Sequence, residues 1–155
     1  MSEKNLQPAR ISQNEISLAN FIPHKLSVLS NTVSRSIANI YAKKFGISIS
    51  EWRVVAILHS YPGISSGEVS ERSGMDAVAV SRAVSHLFRS KYISRKPSPK
   101  DKRKIVLDLS KKGQKLYSAV TPLALEYENF LLEKFTIKEY EKLVNLLDKL
   151  QERAN

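Results

Sequence analysis

Ser65-Ser66-Gly67-Glu68-Val69-Ser70-Glu71-Arg72-Ser73-Gly74-Met75-Asp76-Ala77-Val78-Ala79-Val80-Ser81-Arg82-Ala83-Val84-Ser85-His86-Leu87-Phe88-Arg89 contains two helix starts and one break. Ser65-Ser66-Gly67-Glu68 has capping-box spacing and opens a helix too short to stand alone, Gly67 to about Arg72. Ser73-Gly74-Met75 interrupts it. Asp76 is a good N-cap for the next helix, Ala77 to about Lys91. Two short helices joined by a tight, glycine-containing turn are the physical content of a helix-turn-helix. At about 100° per residue, Val80, Val84, Leu87 and Phe88 cluster on one side of the second helix and should pack on the preceding helices. Arg82, Ser85 and Arg89 fall opposite, with Val78, Ala79 and His86 flanking them. Such a face suits a major groove: arginine pairs with guanine O6 and N7, small apolar groups meet the thymine methyl, and serine reaches bases or phosphates.

Downstream, Tyr92 to Lys96 and Lys104 to Leu109 read as two strands around the turn-rich tip Pro97-Ser98-Pro99-Lys100-Asp101-Lys102-Arg103. A helix in the major groove leaves a following hairpin over the adjacent minor groove, whose narrow, negative floor attracts arginine. Arg103 is the candidate for insertion. Lys96, Lys100 and Lys102 would sit over phosphates, and Asp101 is compatible with DNA there only if it holds Arg103 in position. Ser110 begins a helix to about Lys134, with a bend at Pro122. Thr136-Ile137-Lys138-Glu139 is a further capping box and opens a last helix to about Arg153.

Upstream, Ser12-Gln13-Asn14-Glu15 reads as a capping box for a short helix, Ile16 to Phe21, after a loosely held arm. Pro23 suits the first turn of a long helix. Leu26, Leu29, Val33, Ile37 and Ile40 stripe one face of it, and Gly46 stops it. Ser50 can cap a second helix carrying Val54, Val55, Ile57 and Leu58, which ends at Tyr61-Pro62-Gly63. The fold expected is mainly α with a small β-hairpin wing (α+β).

The charge agrees with this placement. The chain of 155 residues carries 25 Lys and Arg against 15 Asp and Glu, a net +10, which favours polyanionic partners. Between Arg89 and Lys115 eleven basic residues face only Asp101 and Asp108. Hydrophobic residues make up 42% of the chain, enough for a real core. The absence of cysteine excludes disulfides, thiolate catalysis and thiol redox sensing. His24, His59 and His86 are too widely spaced to suggest a metal site, and no cofactor is expected. Without a run of about 18 apolar residues or an apolar leader, the expectation is a cytoplasmic protein with no membrane partner.

Ile49-Ser50-Glu51-Trp52-Arg53-Val54, Pro62-Gly63-Ile64-Ser65, Met75-Asp76, Val80-Ser81-Arg82-Ala83-Val84, Asp101-Lys102-Arg103 and Leu109-Ser110-Lys111-Lys112-Gly113 together resemble the MarR/SlyA family of bacterial regulators. The resemblance runs in register from about Ile22 to Leu116. It implies one MarR-like domain over 1–155, with 12–46 and 111–155 as dimerisation helices and 50–110 as a winged helix-turn-helix lobe. It also implies a homodimer that reads a palindromic double-stranded operator, with Ser81, Arg82 and Ser85 on the recognition helix and Asp101 and Arg103 at the wing tip. Lys91 departs from the pattern, standing where many members have glycine before the first wing strand. The dimer has separate support in the stripe at the start of the long first helix and the apolar run Leu143, Leu146, Leu147 and Leu150, more than one small lobe can cover. Folding back within one chain is the competing reading.

The family further implies a small-molecule pocket. His24, Ser27, Ser30, Asn31, Trp52 and Arg53 are its candidate residues, Arg53 for a ligand carboxylate and Trp52 for an aromatic ring. Trp52 as plain core and Arg53 as an ion-pair residue are the competing readings. The first helix and Glu51-Trp52-Arg53 are similar to members controlling aromatic-acid breakdown, so the effector expected is an aromatic carboxylate or its coenzyme A thioester. The chain is thus read as a transcriptional repressor. A non-specific architectural nucleic-acid-binding protein is the alternative, with a membrane-surface or scaffold role third. An enzyme is not expected: Gly63-Ile64-Ser65-Ser66-Gly67 matches a hydrolase nucleophile elbow, but a helix and a Pro-Gly turn precede it where a buried strand is needed.

Overall fold

Six helices and one hairpin follow in the order α1 (Ile22–Phe45), α2 (Ile49–Ser60), α3 (Ser66–Ser73), α4 (Ala77–Arg89), β1 (Ile93–Pro97), β2 (Ile105–Leu109), α5 (Lys111–Leu132) and α6 (Ile137–Ala154). They are seen in a computed structural model that describes residues 16–154. The capping box at Ser12–Glu15 and the arm before it lie outside the described residues. The chain divides between Ile49 and Ser50 into two units.

In the first unit the short helix expected over Ile16–Phe21 is a turn instead, closed by Asn20 N–H to Ser17 O at 2.9 Å and Phe21 N–H to Leu18 O at 3.3 Å. Six residues offer too few bonds to offset helix nucleation. The long helix α1 has Pro23 in its first turn and ends on Gly46, at φ 64°, whose N–H donates to Ala42 O. Leu26 and Leu29 of its stripe are exposed; Val33, Ile37 and Ile40 are half-buried. Tyr41 is buried, and burial pushes its phenol up to about 12.

The second unit has its core in residues contributed by every element from α2 to α5: Val54, Val55 and Leu58, Val69, Val80, Ala83, Val84 and Leu87, Ile93, Leu107, Leu116 and Val120. The hairpin is antiparallel, in register from Ile93 opposite Leu109 to Pro97 opposite Ile105. Ile64 adds a bridge to Leu107, with Gly63 N–H donating to Leu107 O at 3.0 Å and Leu107 N–H to Ile64 O at 2.8 Å. This third sheet contact, from a single residue after a turn, has no alternating pattern to announce it. By contrast, α6 buries none of its residues, and Leu125, Phe130 and Leu131 at the end of α5 are exposed.

The joint from α4 to the wing explains the departure at Lys91. The helix ends at Arg89, two residues before the sequence expectation, in a Schellman motif: Tyr92 N–H donates to Leu87 O at 2.9 Å and Lys91 N–H to Phe88 O at 3.0 Å. That motif needs one left-handed residue, and Lys91 supplies it at φ 61°. Ser110 then ties the joint to α5. Its Oγ–H is shared between Lys91 O at 2.7 Å and Tyr92 O at 3.0 Å, while Oγ accepts from Gly113 N–H at 3.0 Å. Gly113 is buried so close that a Cβ there would run into the Tyr92 carbonyl. Pro122 leaves α5 unbroken, although it deprives Ser118 O of its helical donor.

Two substitutions should separate these effects in denaturant titrations. Lys91→Gly relieves the left-handed cost and should raise stability by up to about 1 kcal/mol. Gly113→Ala should lower it by more than about 1 kcal/mol, because backbone rather than a flexible side chain must move.

Candidate nucleic-acid interface

The turn between α3 and α4 is closed by its own short side chains. Ser65 caps α3: its N–H and Oγ–H both donate to Glu68 Oε2 at 2.8 Å, and Glu68 N–H returns a bond to Ser65 Oγ at 3.3 Å. These bonds hold the Glu68 carboxyl below the usual carboxylate range, helped by the charges of Arg72 and Lys104. At the other end Gly74 adopts φ 63°, Ser70 Oγ–H donates to Met75 O at 2.6 Å, and Met75 N–H donates to Ser73 Oγ at 3.2 Å. Asp76 Oδ1 then accepts from Ala79 N–H at 2.8 Å and starts α4. Six hydroxyl and carboxylate contacts between Ser65 and Ala79 therefore fix the ends of α3 and the start of α4.

Helix α4 buries Val80, Ala83, Val84 and Leu87. The opposite face presents Val78 at 60% exposure, with Ser81, Arg82 and Arg89 exposed and Ala79, Ser85 and His86 half-buried. One assignment is corrected. Phe88 is not core but 44% exposed, and the Arg95 guanidinium lies 4.7 Å above its ring. Phe88 falls about 80° from Val80 around the helix, at the edge of the stripe, and Ala83 takes the core position instead. His86 is a second surprise. Its Nδ1 lies 2.6 Å from Oε1 of Glu51, a nearly buried carboxylate in the first turn of α2.

In the wing, Ser98 N–H donates to Lys104 O at 2.8 Å and Lys104 N–H to Asp101 O at 2.9 Å. Asp101 Oδ1 accepts from Arg103 N–H at 3.1 Å. The carboxylate thus acts on the backbone that carries Arg103 and leaves the guanidinium exposed. Lys100 and Lys102 are exposed beside it. Lys96 lies 3.6 Å from Asp108 across the ladder, so part of its charge is met within the hairpin. Arg95 on Phe88 and Lys112, whose Nζ donates to Ser90 O at 3.0 Å and lies 4.4 Å over the Tyr92 ring, likewise serve the joint.

A sequence model described as MarR family matches residues 45–104. A MarR/EmrR family transcriptional regulator from Acinetobacter sp. ADP1 is 34% identical, with a TM-score of 0.85 over 90% of this chain and 98% of that one. The chain belongs to the MarR family. It is a DNA-binding transcriptional regulator with a winged helix-turn-helix. The HTH-type transcriptional regulator BilQ of Clostridium symbiosum is 29% identical over 77% of this chain and 85% of its own. The homoprotocatechuate degradative operon repressor of Escherichia coli is 24% identical over 68% and 72%. These relatives are regulators and not enzymes, and Ser65 of the Gly-x-Ser-x-Gly match is committed to capping α3.

The residues expected for a MarR-family effector are spread over both units. His24, Ser27, Ser30 and Asn31 are exposed on α1. In the second unit Arg53 is exposed, and Trp52 stacks on Tyr117 with ring centroids 5.7 Å apart. Tyr117 also stacks on His59 at 3.6 Å, and His59 Nδ1 lies 3.1 Å from Gln114 Oε1. The indole is used structurally on that side. Trp52 and His59, seven residues apart on one face of α2, were the available signal; their α5 partner was not.

Removing Asp101 tests the wing. Asp101→Ala deletes a negative charge near DNA, which electrostatics alone would turn into tighter binding. The loss of the Arg103 backbone bond should instead weaken operator binding by roughly fivefold, about 1 kcal/mol, in fluorescence anisotropy. Tighter binding would mean that the carboxylate only repels phosphate.

Proposed function

We propose that this regulator is a repressor that binds a palindromic operator as a homodimer and is released by a small aromatic carboxylate or its coenzyme A thioester. The observation that carries the DNA part is the pairing of two surfaces in one unit. The polar face of α4 lies opposite a fully buried apolar face, and the exposed Arg103 sits on a turn fixed by Asp101. Val78, Ala79, Ser81, Arg82, Ser85, His86 and Arg89 meet the major groove. Arg103 enters the minor groove, and Lys96, Lys100 and Lys102 sit over phosphates.

The apolar residues that the chain leaves uncovered support the dimer. On α6 these include Tyr140, Leu143, Val144, Leu147 and Leu150, and on α1 Ile22, Leu26 and Leu29. Patches of this kind on a basic regulator mark an interface with another protein. A second copy also supplies the second half-site reading that a palindrome requires. In this reading 12–46 and 111–155 serve dimerisation and 50–110 serves DNA, and the protein acts in the cytoplasm. The effector class rests on the relative named for a homoprotocatechuate degradative operon. Arg53, Trp52, His24, Ser27, Ser30 and Asn31 are proposed to receive the ligand.

The test is anisotropy on DNA from the regulator's own promoter against scrambled DNA at about physiological salt, with and without aromatic acids and their thioesters. Promoter-specific binding released by one ligand class supports the reading; equal binding to both DNAs would leave the architectural alternative. Arg103→Ala should weaken operator binding by about tenfold or more, and an unchanged Kd would take it out of the minor groove. Arg82→Ala should relax preference at particular base pairs. Truncation after Thr136 should abolish dimers in light scattering, and a surviving dimer would put the interface elsewhere.

A further inference from the structure

We infer that Arg95 is a positioning residue for operator recognition: laid over Phe88 of α4, it fixes the wing against the recognition helix and acts on DNA through Arg103, without meeting phosphate itself. The inference rests on the DNA-binding reading of α4 and the wing. The register of the hairpin sets the direction of Arg95. Residues directly opposite in an antiparallel ladder, and residues two apart on one strand, share a face. Ile93, Arg95 and Leu107 therefore line one face, and both Ile93 and Leu107 are buried. Lys96 and Asp108 lie on the other face, where they approach each other. Arg95 is thus on the side of the ladder turned to the core, at the point where the ladder leaves the lobe. Its guanidinium is 4.7 Å from the centre of the Phe88 ring, a ring 44% exposed at the end of α4. A planar guanidinium stacks on such a face and is attracted by its electron density.

The same row of the sheet has a second anchor. Leu107, the register partner of Arg95, receives the bridge from Ile64, with Gly63 N–H donating to Leu107 O at 3.0 Å and Leu107 N–H to Ile64 O at 2.8 Å. At this level β2 is held through its backbone by the turn after α2. The other strand, β1, is held through the Arg95 side chain by the end of α4. Beyond this row the ladder has only the pairs Lys96 with Val106 and Pro97 with Ile105 before the tip. A two-stranded ribbon has little rigidity of its own. Anchored along one strand it swings; anchored on both strands of one row it does not. A swing of about 15° at this row would move a point about four residues farther out by roughly 3 Å. That is about half the width of a minor groove, so the Phe88 contact decides whether Arg103 and the face of α4 meet their grooves together.

The experiment is anisotropy on the own-promoter duplex and a scrambled duplex with the full-length protein. The variants are Phe88→Leu, Arg95→Gln and the two combined, each made with Arg103 intact and with Arg103→Ala. Phe88→Leu leaves every charge in place. It should weaken own-promoter binding about three- to fivefold, the range of an exposed cation–π contact, and leave binding to scrambled DNA unchanged. Arg95→Gln should lose about as much, and the combined change no more than either alone. In the Arg103→Ala protein none of the three should cause further loss, because the residue they position is gone. Thermal unfolding midpoints of the exposed-site variants should fall by less than about 4 °C. An own-promoter Kd unchanged by Phe88→Leu would overturn the inference. Losses from Arg95→Gln and Arg103→Ala that multiply would make Arg95 a phosphate contact in its own right. Affinities that fall only as the unfolding midpoint falls, or equally on both duplexes, would reduce the contact to a support of the fold. Equal wild-type affinity for the two duplexes would instead overturn the DNA-binding reading beneath it.

Discussion

The arrangement of this regulator depends on the burial of one face of α4. Val80, Ala83, Val84 and Leu87 are almost wholly removed from solvent, and each large aliphatic side chain so buried is worth about 1.5–3 kcal/mol. Rotating the helix by one residue would expose two of them and bury Arg82 or Ser81 in their place, at the cost of an unpaired charge or hydroxyl. The direction in which Arg82, Ser85 and Arg89 face is therefore a consequence of core packing rather than of any bond they make themselves. A surface proposed to meet DNA with a fixed register is well anchored this way, because its orientation does not use up its own polar groups.

The wing is anchored differently, through a chain of backbone contacts. Lys91 in its left-handed conformation turns the chain out of α4, and Ser110 grips the carbonyls of Lys91 and Tyr92. The close approach of Gly113 brings the start of α5 onto the same point. The last turn of the recognition helix, the root of the hairpin and the first turn of α5 thus share one small joint. The start of α5, the wing and the end of α4 are joined through the Lys91 and Tyr92 carbonyls.

Much of this was legible in the sequence. The capping boxes at Ser65 and Thr136, the N-caps at Asp76 and Ser110 and the stop at Gly46 are local chemistry, and local chemistry survives folding. Asp101 was readable as a positioning group because a carboxylate in a DNA-binding tip needs such a role. What escaped depended on residues distant in sequence. Phe88 looked like core on periodicity alone, since its partner Arg95 lies across the wing joint. Glu51 entered only as part of the Glu51-Trp52-Arg53 pattern, and its neighbour His86 lies 35 positions later. Ile64 joins the sheet only because Leu107 is there to receive it.

These pairings change how the basic run between Arg89 and Lys115 should be understood. Its charge suggests a uniform strip of phosphate contacts, yet Lys96 faces Asp108, Arg95 covers Phe88, and Lys112 caps the Ser90 carbonyl over Tyr92. Each of these is held by protein and gives up conformational freedom before any DNA arrives. Of the other exposed cations, Lys100, Lys102, Arg103 and Lys104 stand together at the wing tip, and Arg89, Lys91, Lys111 and Lys115 flank the joint. Non-specific attraction grows with the number of phosphates neutralised. A strip in which every cation were free would hold the protein on any sequence. Tying several of them to the joint trades some of that attraction for rigidity between α4 and the wing, and rigidity is what allows two surfaces on one lobe to be read together.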